Sequence, residues 1–305
     1  MNENASNQRQ EGELVKSASG HKKVRRSKMN QRLEKKLIVV YSNVQGFSGK
    51  KDSVTEIAET LECDVCLLTE TLTTNVKMKG AKCITAKKSV GQNVAIILRG
   101  KLSGVVPMKL YEPNETLNML GVRIEVAKNN FQRFYTAHMK QVSANSRDVI
   151  RNQFSEISQQ FRQAALSGEG MLLVCDANVH VGDNGIAGCG DVQDWAGAEF
   201  LEMIAVEGLH LVNNMECCQG IVTRIDPRNG TESTLDLAIC NEYILHNIGE
   251  MTIDEKGEFR PTRYGSKTTQ TDHNTIIIDL CAKKVSSMKE EVYLNTKCPN
   301  WVEYF

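Results

Sequence analysis

Short apolar runs rich in β-branched residues alternate with amphipathic helical segments from Leu37 onward, and this alternation limits the fold more than any other feature of the chain. The first run, residues 37–41, has the composition of a buried strand, whereas residues 147–166 carry apolar side chains at helical spacing. Residues 53–61 and 196–206 also predict helices with one apolar face. Many strands with few long helices predict an α/β fold in which two stacked mixed β-sheets are flanked by helices.

The remaining strand candidates follow the same logic of short apolar runs. They are residues 64–70, 93–98, 117–126, 131–138, 171–175, 209–213, 233–239 and 275–280. Neither an internal repeat nor an interior linker interrupts this series, so residues 37–283 are predicted to form one domain. Residues 284–305 are predicted to be a linker or the start of a following segment.

The first 36 residues differ from the rest in charge and composition. They contain ten lysines and arginines and four acidic residues, a formal charge of +6 that leaves −6 on the remainder of a formally neutral chain. They are rich in Ser, Asn, Gln and Gly and lack apolar periodicity, which predicts a disordered basic arm. Such an arm can add affinity for a polyanionic partner, and a solvated tail without function is the alternative.

The sequence lacks the apolar segments that are typical of membrane and secreted proteins. No run approaches the roughly 18 apolar residues of a membrane span, and the amino terminus has no apolar segment typical of a secretion signal. The ten cysteines are scattered and are interpreted as reduced thiols. We therefore expect a nuclear or cytoplasmic protein that is not secreted, has no membrane partner and is monomeric.

Polar residues capable of chemistry stand at the ends of the strands that should be buried. These residues are Asn43, Glu70, Tyr135, His138, Asp176, Asn178, Asp236, Asp272 and His273. Each has an ordinary structural explanation, such as a turn former for Asn43 or a satisfied core histidine for His273. Strands that end at one edge of a sheet bring such residues together, so the collective pattern favours a site.

Six short motifs follow one another at these strand ends. They are Ser42-Asn43-Val44-Gln45-Gly46, Leu68-Thr69-Glu70-Thr71, Tyr135, Cys175-Asp176-Ala177-Asn178, Thr234-Leu235-Asp236 and Thr271-Asp272-His273. In this order they resemble the motifs of the endonuclease/exonuclease/phosphatase superfamily, which includes apurinic/apyrimidinic endonucleases, DNase I and inositol polyphosphate phosphatases. The resemblance spans nearly the whole predicted domain and implies a DNase I-like, four-layer α/β sandwich.

Within that superfamily, the segment from Asp176 to His180, followed by Trp195 and residues 208–213, is most similar to the endonuclease domains of non-LTR retrotransposons. Residues 299–305 are similar to the start of the linker that precedes a reverse transcriptase in those polyproteins. The resemblance therefore implies DNA as the partner, and a reverse transcriptase domain within a longer polyprotein as a further one.

Three positions depart from the superfamily pattern. Cys175 stands where glycine is usual, Ala177 where phenylalanine is usual, and Thr136-Ala137-His138 where a proline shortly follows the tyrosine. None of these departures removes a side chain that would take part in catalysis. The loop geometry around Tyr135, however, is not predicted by the resemblance. On an alternating strand beside Tyr135, His138 is interpreted as structural.

The resemblance implies a role for each matched residue. Glu70, Asn43 and Asp272 would bind Mg²⁺, with Mn²⁺ as a substitute, because Mg²⁺ prefers hard oxygen ligands. Asp176 would activate or orient the attacking water, and Asn178 would hold the phosphate together with Asn43.

His273 would stabilise the phosphoryl charge while Asp236 orients its ring, and Tyr135 would supply a hydroxyl to the same group, as a catalytic and substrate-binding residue. His180 would either line the rim of the site or be a plain loop histidine.

The sequence thus predicts a Mg²⁺-dependent endonuclease that nicks DNA, as in target-primed reverse transcription. A phosphatase or an apurinic/apyrimidinic repair nuclease of the same superfamily is the alternative among enzymes, although no basic phosphate-recognition segment of the inositol phosphatase kind is evident. The alternative outside the enzymes is a catalytically inactive binding module recruited by a host. Loss of a catalytic residue would favour that module, and every motif position is occupied.

Overall fold

Two large mixed β-sheets form the centre of the computed structural model, which describes residues 35–88 and 91–282. The strands are β1 (Lys35–Asn43), β2 (Val65–Thr69), β3 (Lys82–Thr85), β4 (Val94–Leu98), β5 (Met108–Tyr111), β6 (Asn118–Ala127), β7 (Asn130–His138), β8 (Gly170–Asp176), β9 (His210–Leu211), β10 (Cys218–Gln219), β11 (Arg224–Ile225), β12 (Glu232–Ser233), β13 (Asp236–Cys240), β14 (Ile248–Ile253), β15 (Thr262–Arg263), β16 (Thr269–Gln270) and β17 (Ile276–Ala282). The seven-stranded sheet has the order β10-β14-β17-β1-β2-β4-β3, and the six-stranded sheet has the order β5-β6-β7-β8-β13-β9. Strands β11 and β12 form one small hairpin, and β15 and β16 form another.

The three longest helices in the described ranges overlap the segments that the sequence predicts to be helical, whereas two four-residue helices are not predicted. The helices are α1 (Phe47–Thr60), α2 (Arg147–Leu166), α3 (Gly182–Gly185), α4 (Trp195–Val206) and α5 (Glu242–Leu245). Helix α1 begins earlier than the predicted residue 53, because Gly46 takes a positive φ of 101° and reverses the chain directly after β1. The residues that follow Phe47 are polar, so they lack the apolar spacing that would have revealed the first turn.

Strand alternation divides the apolar side chains between three cores. In β1, Leu37, Val39 and Tyr41 point into the core between the two sheets, whereas Val40 points into the core beneath α1. On the other side, α2 and α4 cover the six-stranded sheet with a third core that includes Phe154, whose ring lies 5.5 Å from that of Phe200. The predicted four-layer arrangement of two stacked sheets flanked by helices is confirmed.

One edge of the sandwich collects the ends of strands from both sheets. Parallel strands β1 and β2 end there in the first sheet, and parallel strands β7 and β8 end there in the second. Antiparallel strands β13 and β17 begin at the same edge, since Asp236 pairs with Asp176 and Ile276 pairs with Tyr41. Residues at these strand ends therefore face one another across the top of the inter-sheet core.

Two predicted strands are shorter in the structure. The strand predicted at 209–213 ends at Leu211, because the Asn213 side chain takes over the pairing with β13: its Oδ1 accepts from the Ala238 N–H at 2.8 Å and its Nδ2 donates to the Asp236 carbonyl at 3.2 Å. The strand predicted at 233–239 divides into β12 and β13.

The predicted basic arm and the predicted carboxy-terminal segment lie outside the described residues, apart from the last two residues of the arm. Lys35 and Lys36 already belong to β1, and the Lys36 ammonium contacts Asp279 of β17. The limits of the domain at 37 and 283 stay a prediction. No helix in the described ranges combines the length and apolar character needed to cross a membrane.

Candidate active site

A cluster of buried or half-buried polar side chains caps the inter-sheet core at this edge. Its members are Tyr41, Asn43, Glu70, His138, Asp176, Asp236 and His273. Strand alternation carries most of them there, because Asp176 continues the inward-facing series of Leu172 and Val174, and Asn43 continues that of Tyr41. The structure thus brings together five of the predicted site residues: Asn43, Glu70, Asp176, Asp236 and His273.

The Asn43 amide joins carboxylates that come from the two sheets. Its Nδ2 donates to Glu70 Oε1 at 2.8 Å and to Asp176 Oδ2 at 2.9 Å, and it lies 3.4 Å from His273 Nε2. Its Oδ1 accepts from the Gln45 backbone N–H at 3.3 Å. Asn43 therefore presents N–H groups to the cluster, and the prediction that it offers a metal an oxygen ligand is not supported by this arrangement.

Glu70 reaches the cluster through a local change of backbone direction. It follows Thr69, whose hydroxyl faces the inter-sheet core 3.1 Å from that of Tyr41, so continued extension would place Glu70 on the opposite face. Its positive φ of 50° breaks that alternation. Burial raises the pKa of Glu70, but hydrogen bonds with His138 and Asn43 outweigh it and lower the pKa overall, which keeps the carboxylate ionised.

Asp176 carries an unused acceptor. Oδ2 accepts from Asn43, whereas Oδ1 is buried and has no hydrogen-bond partner. A buried acceptor without a partner costs about 1–3 kcal/mol, so such an atom points to a missing proton donor or cation. Burial and, secondarily, the charge of Asp236 raise the pKa of Asp176 to about 6.

His273 is held by a chain of buried hydrogen bonds. Its Nδ1 donates to Asp236 Oδ2 at 2.7 Å, and Asp236 Oδ1 accepts from the Tyr41 hydroxyl at 2.7 Å. Burial lowers the pKa of His273, but the charge and hydrogen bond of Asp236, with the charges of Asp176 and Asp272, outweigh it and raise the pKa to about 9. With Nδ1 engaged, Nε2 is the atom left to face the cluster.

The two carboxylates of the cluster can converge on a cation, with the His273 ring beside them. Glu70, Asp176 and His273 each offer one ligand atom, and these atoms all lie within 4.8 Å of one another. The carboxylates of Glu70 and Asp176 suit a hard divalent cation such as Mg²⁺. The residues present therefore fit the metal that the resemblance implies.

Asp272, a predicted metal ligand, is engaged elsewhere. Its Oδ2 accepts from Arg224 Nε and Nη2, both at 2.9 Å, and its Oδ1 accepts from the Gln45 side-chain amide. Oδ1 also lies 3.7 Å from His273 Nε2. Because the guanidinium already neutralises this carboxylate, the structure places Asp272 beside the ligand group and not within it.

The structure does not bring Tyr135, a predicted site residue, to the cluster. Its side chain is fully buried in the core beneath α2, and its hydroxyl donates to Gln160 Oε1 at 3.0 Å. The ring lies against Gly121, where an added Cβ would come within 2.1 Å of it, so this position requires glycine. Tyr135 is on the face of β7 opposite to His138, because the two are an odd number of residues apart.

His138 occupies the place that the motif order predicts for the tyrosine. It ends β7, and its Nε2 lies 3.5 Å from Glu70 Oε1 and 3.8 Å from Asp176 Oδ2. Burial lowers the pKa of His138, but the hydrogen bond with Glu70 and the charges of Asp176 and Glu70 outweigh it and raise the pKa. The structure thus places His138, which the sequence analysis interprets as structural, in the cluster. The signal that identifies this position is strand alternation, since His138 shares a face with Phe134.

Asn178 lies beside the cluster and not inside it. Its backbone has a positive φ of 51°, and its Nδ2 donates to the Met139 carbonyl at 3.1 Å, which ties the loop after β8 to the end of β7. It lines an adjoining groove of about 460 Å³, together with His180, Asp191, Arg224, Asp226 and Ser233. His180 lies in the loop after β8 and lines the same groove, with Nδ1 3.3 Å from Asp191 Oδ2.

Several supporting residues had no signal in the sequence motifs. Tyr41 and Thr223 surround Asp236, whose backbone N–H donates to Thr223 Oγ1 at 2.9 Å, and Arg224 holds Asp272. Of these three, Tyr41 could have been found from the sequence, because it shares a strand face with Asn43. The other two lie on a segment that is far from the motifs of β1 and β2 in the chain.

Comparison with known proteins identifies relatives of the fold. No family model matches the chain, and no curated protein matches it. Three solved structures show the same fold at low sequence identity.

The endonuclease domain of TRAS1, a telomere-specific non-LTR retrotransposon, is 16% identical with a TM-score of 0.60, and the match covers 81% of this chain and 100% of that one. The apurinic/apyrimidinic endonuclease LMAP from Leishmania major is 12% identical with a TM-score of 0.62, over 81% and 88% of the two chains. The 3′ phosphatase NExo from Neisseria, bound to a product DNA hairpin, is 12% identical with a TM-score of 0.61, over 80% and 99%.

An endonuclease/exonuclease/phosphatase family protein from Bacteroides thetaiotaomicron also shares the fold, at 14% identity and a TM-score of 0.55 over 80% and 97% of the two chains. The DNase I-like fold implied by the six motifs is therefore confirmed. At these identities the likeness establishes the fold, and the activity has to be argued from the site.

Proposed function

We propose that this chain is a divalent-metal-dependent phosphodiesterase that nicks DNA. The observation that carries the proposal is the convergence of Glu70, Asp176 and the Asp236-held imidazole of His273 at one edge of the sandwich, with the acceptor Asp176 Oδ1 unpartnered. DNA as the substrate is supported by the neighbours, which include two endonucleases and a phosphatase bound to a DNA hairpin. The finer role is a nick that exposes a 3′-hydroxyl for target-primed reverse transcription.

Glu70 would hold Mg²⁺ next to Asp176, and Mn²⁺ could substitute for it. When bound, the ion supplies neutralisation of the charge that builds on the phosphoryl oxygens. Asn43 keeps the two carboxylates in place by donating to both. Its buried amide thus preorganises the ligands before any ion arrives.

Asp176 would orient the attacking water and accept its proton. Oδ1 is buried, has no other partner and belongs to a residue fixed at the end of a central strand. Proton acceptance by a positioned carboxylate contributes roughly 10²–10⁴-fold to hydrolysis.

Two imidazoles would face the phosphate. His273 presents Nε2 because Asp236 holds Nδ1, and His138 stands close to Glu70 and Asp176 in the place predicted for Tyr135. A ring N–H can donate to a phosphoryl oxygen or to the departing oxygen. Asn178, at the entrance to the adjoining groove, would contact a neighbouring phosphate or sugar.

An inositol polyphosphate phosphatase is the less favoured enzyme. The groove beside the cluster contains one arginine, Arg224, which already pairs with Asp272, so it lacks the cluster of basic side chains that a small ring with several phosphates requires. An inactive binding module is also disfavoured, because each side chain of the catalytic cluster is in place. A reverse transcriptase partner and a nuclear or cytoplasmic location stay predictions.

Removal of the metal is expected to abolish nicking. The purified full chain should convert supercoiled plasmid to the open-circular form with Mg²⁺, lose this activity in EDTA, and regain it with Mg²⁺ or Mn²⁺. Agarose gel electrophoresis measures the conversion, and Glu70→Gln protein purified in the same way controls for a contaminating nuclease. Nicking that persists undiminished in EDTA would exclude the metal-dependent mechanism.

Tyr135→Phe is expected to keep the nicking rate of the wild type. The variant loses only a buried hydrogen bond to Gln160, which should lower the free energy of unfolding by about 1 kcal/mol. His138→Ala should instead lower the nicking rate by roughly 10²-fold or more while the protein stays folded. Plasmid nicking and thermal unfolding of both variants test whether His138, and not Tyr135, takes part in the reaction. A large loss of rate in Tyr135→Phe alone would show that Tyr135 takes part instead.

A further inference from the structure

A short hairpin stands next to the catalytic cluster. It consists of β15, the loop 264–268 and β16, and it leads directly into Thr271, Asp272 and His273. We call residues 262–270 the basic hairpin. Neither the six motifs nor the proposed chemistry gives it a role.

The base of the basic hairpin is fixed to the site. The Thr271 hydroxyl donates to the Asn43 carbonyl at 2.8 Å, and the Thr271 N–H donates to the Pro261 carbonyl at 3.1 Å. On the other strand, the Thr262 N–H donates to Ser53 Oγ of α1 at 3.0 Å. The loop is therefore held at a set distance from the catalytic side chains.

The remainder of the basic hairpin is exposed and carries only positive charge. All residues from Arg263 to Gln270 are exposed, and the Tyr264 side chain is 64% accessible to solvent. Arg263 and Lys267 contribute two positive charges, and residues 261–271 contain no acidic residue, whereas residues 37–305 carry a formal charge of −6. Hydroxyls of Ser266 and Thr268 add hydrogen-bond donors.

The two cations are not used within the described part of the chain. Arg224, Arg228, Arg151 and Arg162 each pair with a carboxylate, but Arg263 and Lys267 have no ion pair with any described residue. The Arg263 side chain lies over the start of α1, where a Cβ added at Gly49 would be 3.3 Å from its Cδ. An unpaired guanidinium beside an acidic site is available to an anionic partner.

We propose that the basic hairpin binds the phosphate backbone of duplex DNA on the α1 side of the cleaved bond. Arg263 and Lys267 contact phosphates, and Tyr264 packs against a deoxyribose or base edge in the groove. Duplex DNA presents one phosphate charge for about every 1.7 Å of its axis, which suits two cations on one short projection. This inference rests on the proposed nicking of DNA and adds the surface that positions the duplex.

The salt dependence of DNA binding tests the two cations. Fluorescence anisotropy with a labelled duplex, in EDTA to prevent cleavage, gives the affinity of the full chain at several salt concentrations. The double variant Arg263→Gln/Lys267→Gln should bind more weakly at low salt and reduce the slope of log affinity against log salt by about 0.9 per lost contact. The matched control is Lys101→Gln/Lys128→Gln, which removes two exposed charges at the opposite end of the sheets and should leave the slope unchanged.

A second pair of variants tests the aromatic ring. Tyr264→Ala should weaken duplex binding by roughly fivefold to tenfold without changing the salt slope, because a stacking or packing contact releases no counterion. The control is Tyr243→Ala, since Tyr243 is 53% exposed on α5, away from the cluster. A loss confined to single-stranded DNA would overturn the assignment to a duplex.

The outcomes separate this inference from the proposed function. If the wild-type chain binds and nicks duplex DNA while the hairpin variants match their controls in affinity and slope, the basic hairpin is not the docking surface and the nicking activity stands. If the wild-type chain neither binds nor nicks DNA, both are overturned. If the variants nick at the wild-type rate with saturating plasmid but bind more weakly, the basic hairpin positions DNA and takes no part in the chemistry.

Discussion

The nicking rate of Glu70→Gln is expected to fall by roughly 10²–10³-fold, and that of Asp176→Asn by at least as much. Both substitutions keep the size of the side chain and remove its negative charge. Glu70→Gln weakens the cation site, and Asp176→Asn also changes the buried carboxylate whose Oδ1 has no partner. Initial rates of plasmid nicking over a range of Mg²⁺ concentrations measure both effects.

The matched control for Glu70→Gln lies in the same chain. Glu62 has a positive φ of 49°, against 50° for Glu70, and is exposed in the turn before β2, so Glu62→Gln repeats the chemical change without touching the cluster. Neither site variant should unfold. Asp176→Asn should match or exceed the wild type in free energy of unfolding without metal, because an ionised carboxylate is costly to bury. A folded variant that nicks at the wild-type rate would remove the assigned role.

Most of the catalytic cluster could be predicted because strand ends place it. Asn43, Asp176 and His273 lie at the limits of apolar runs that had to be buried, and the register of the sheets then aligns those limits at one edge. Asp236 follows because β13 pairs antiparallel to β8, directly opposite Asp176. The apolar runs in the sequence were therefore sufficient to predict where these residues lie.

Tyr135 shows where motif order was insufficient. The resemblance required an aromatic hydroxyl near the end of β7, and Tyr135 is the tyrosine in that strand, but strand alternation sends it beneath α2. The same alternation places His138 at the site. A period-two count along residues 131–138 of the sequence is enough to put Tyr135 and His138 on opposite faces.

The state of Asp272 could not be predicted from local sequence. Its partner Arg224 is 48 residues earlier in the chain, on a short hairpin that carries no strong strand pattern. The orientation of the Asn43 side-chain amide could not be predicted either, because it depends on hydrogen bonds to carboxylates from both sheets. Contacts between segments far apart in sequence decide which predicted ligands are available.

Asp236 and His273 are expected to fail as one unit. His273→Ala should lower the nicking rate by roughly 10²–10⁴-fold, and Asp236→Asn should also cause a large loss, because the ring would lose the carboxylate that holds Nδ1. The double variant should be scarcely slower than His273→Ala, since groups that act through one another are not additive. Nicking rates of the four proteins at saturating plasmid give the coupling directly.

Tyr41→Phe tests the next hydrogen bond in the chain that holds His273. The Tyr41 hydroxyl donates to Asp236 Oδ1 at 2.7 Å and reaches His273 only through that carboxylate, so its loss should slow the wild type by less than about tenfold, in keeping with one buried hydrogen bond. In the His273→Ala background, Tyr41→Phe should have no effect on the rate, because Asp236 then has no ring to hold. Multiplicative losses in either pair would show that Asp236 acts on the reaction independently of His273, for example through the charge it places beside Asp176.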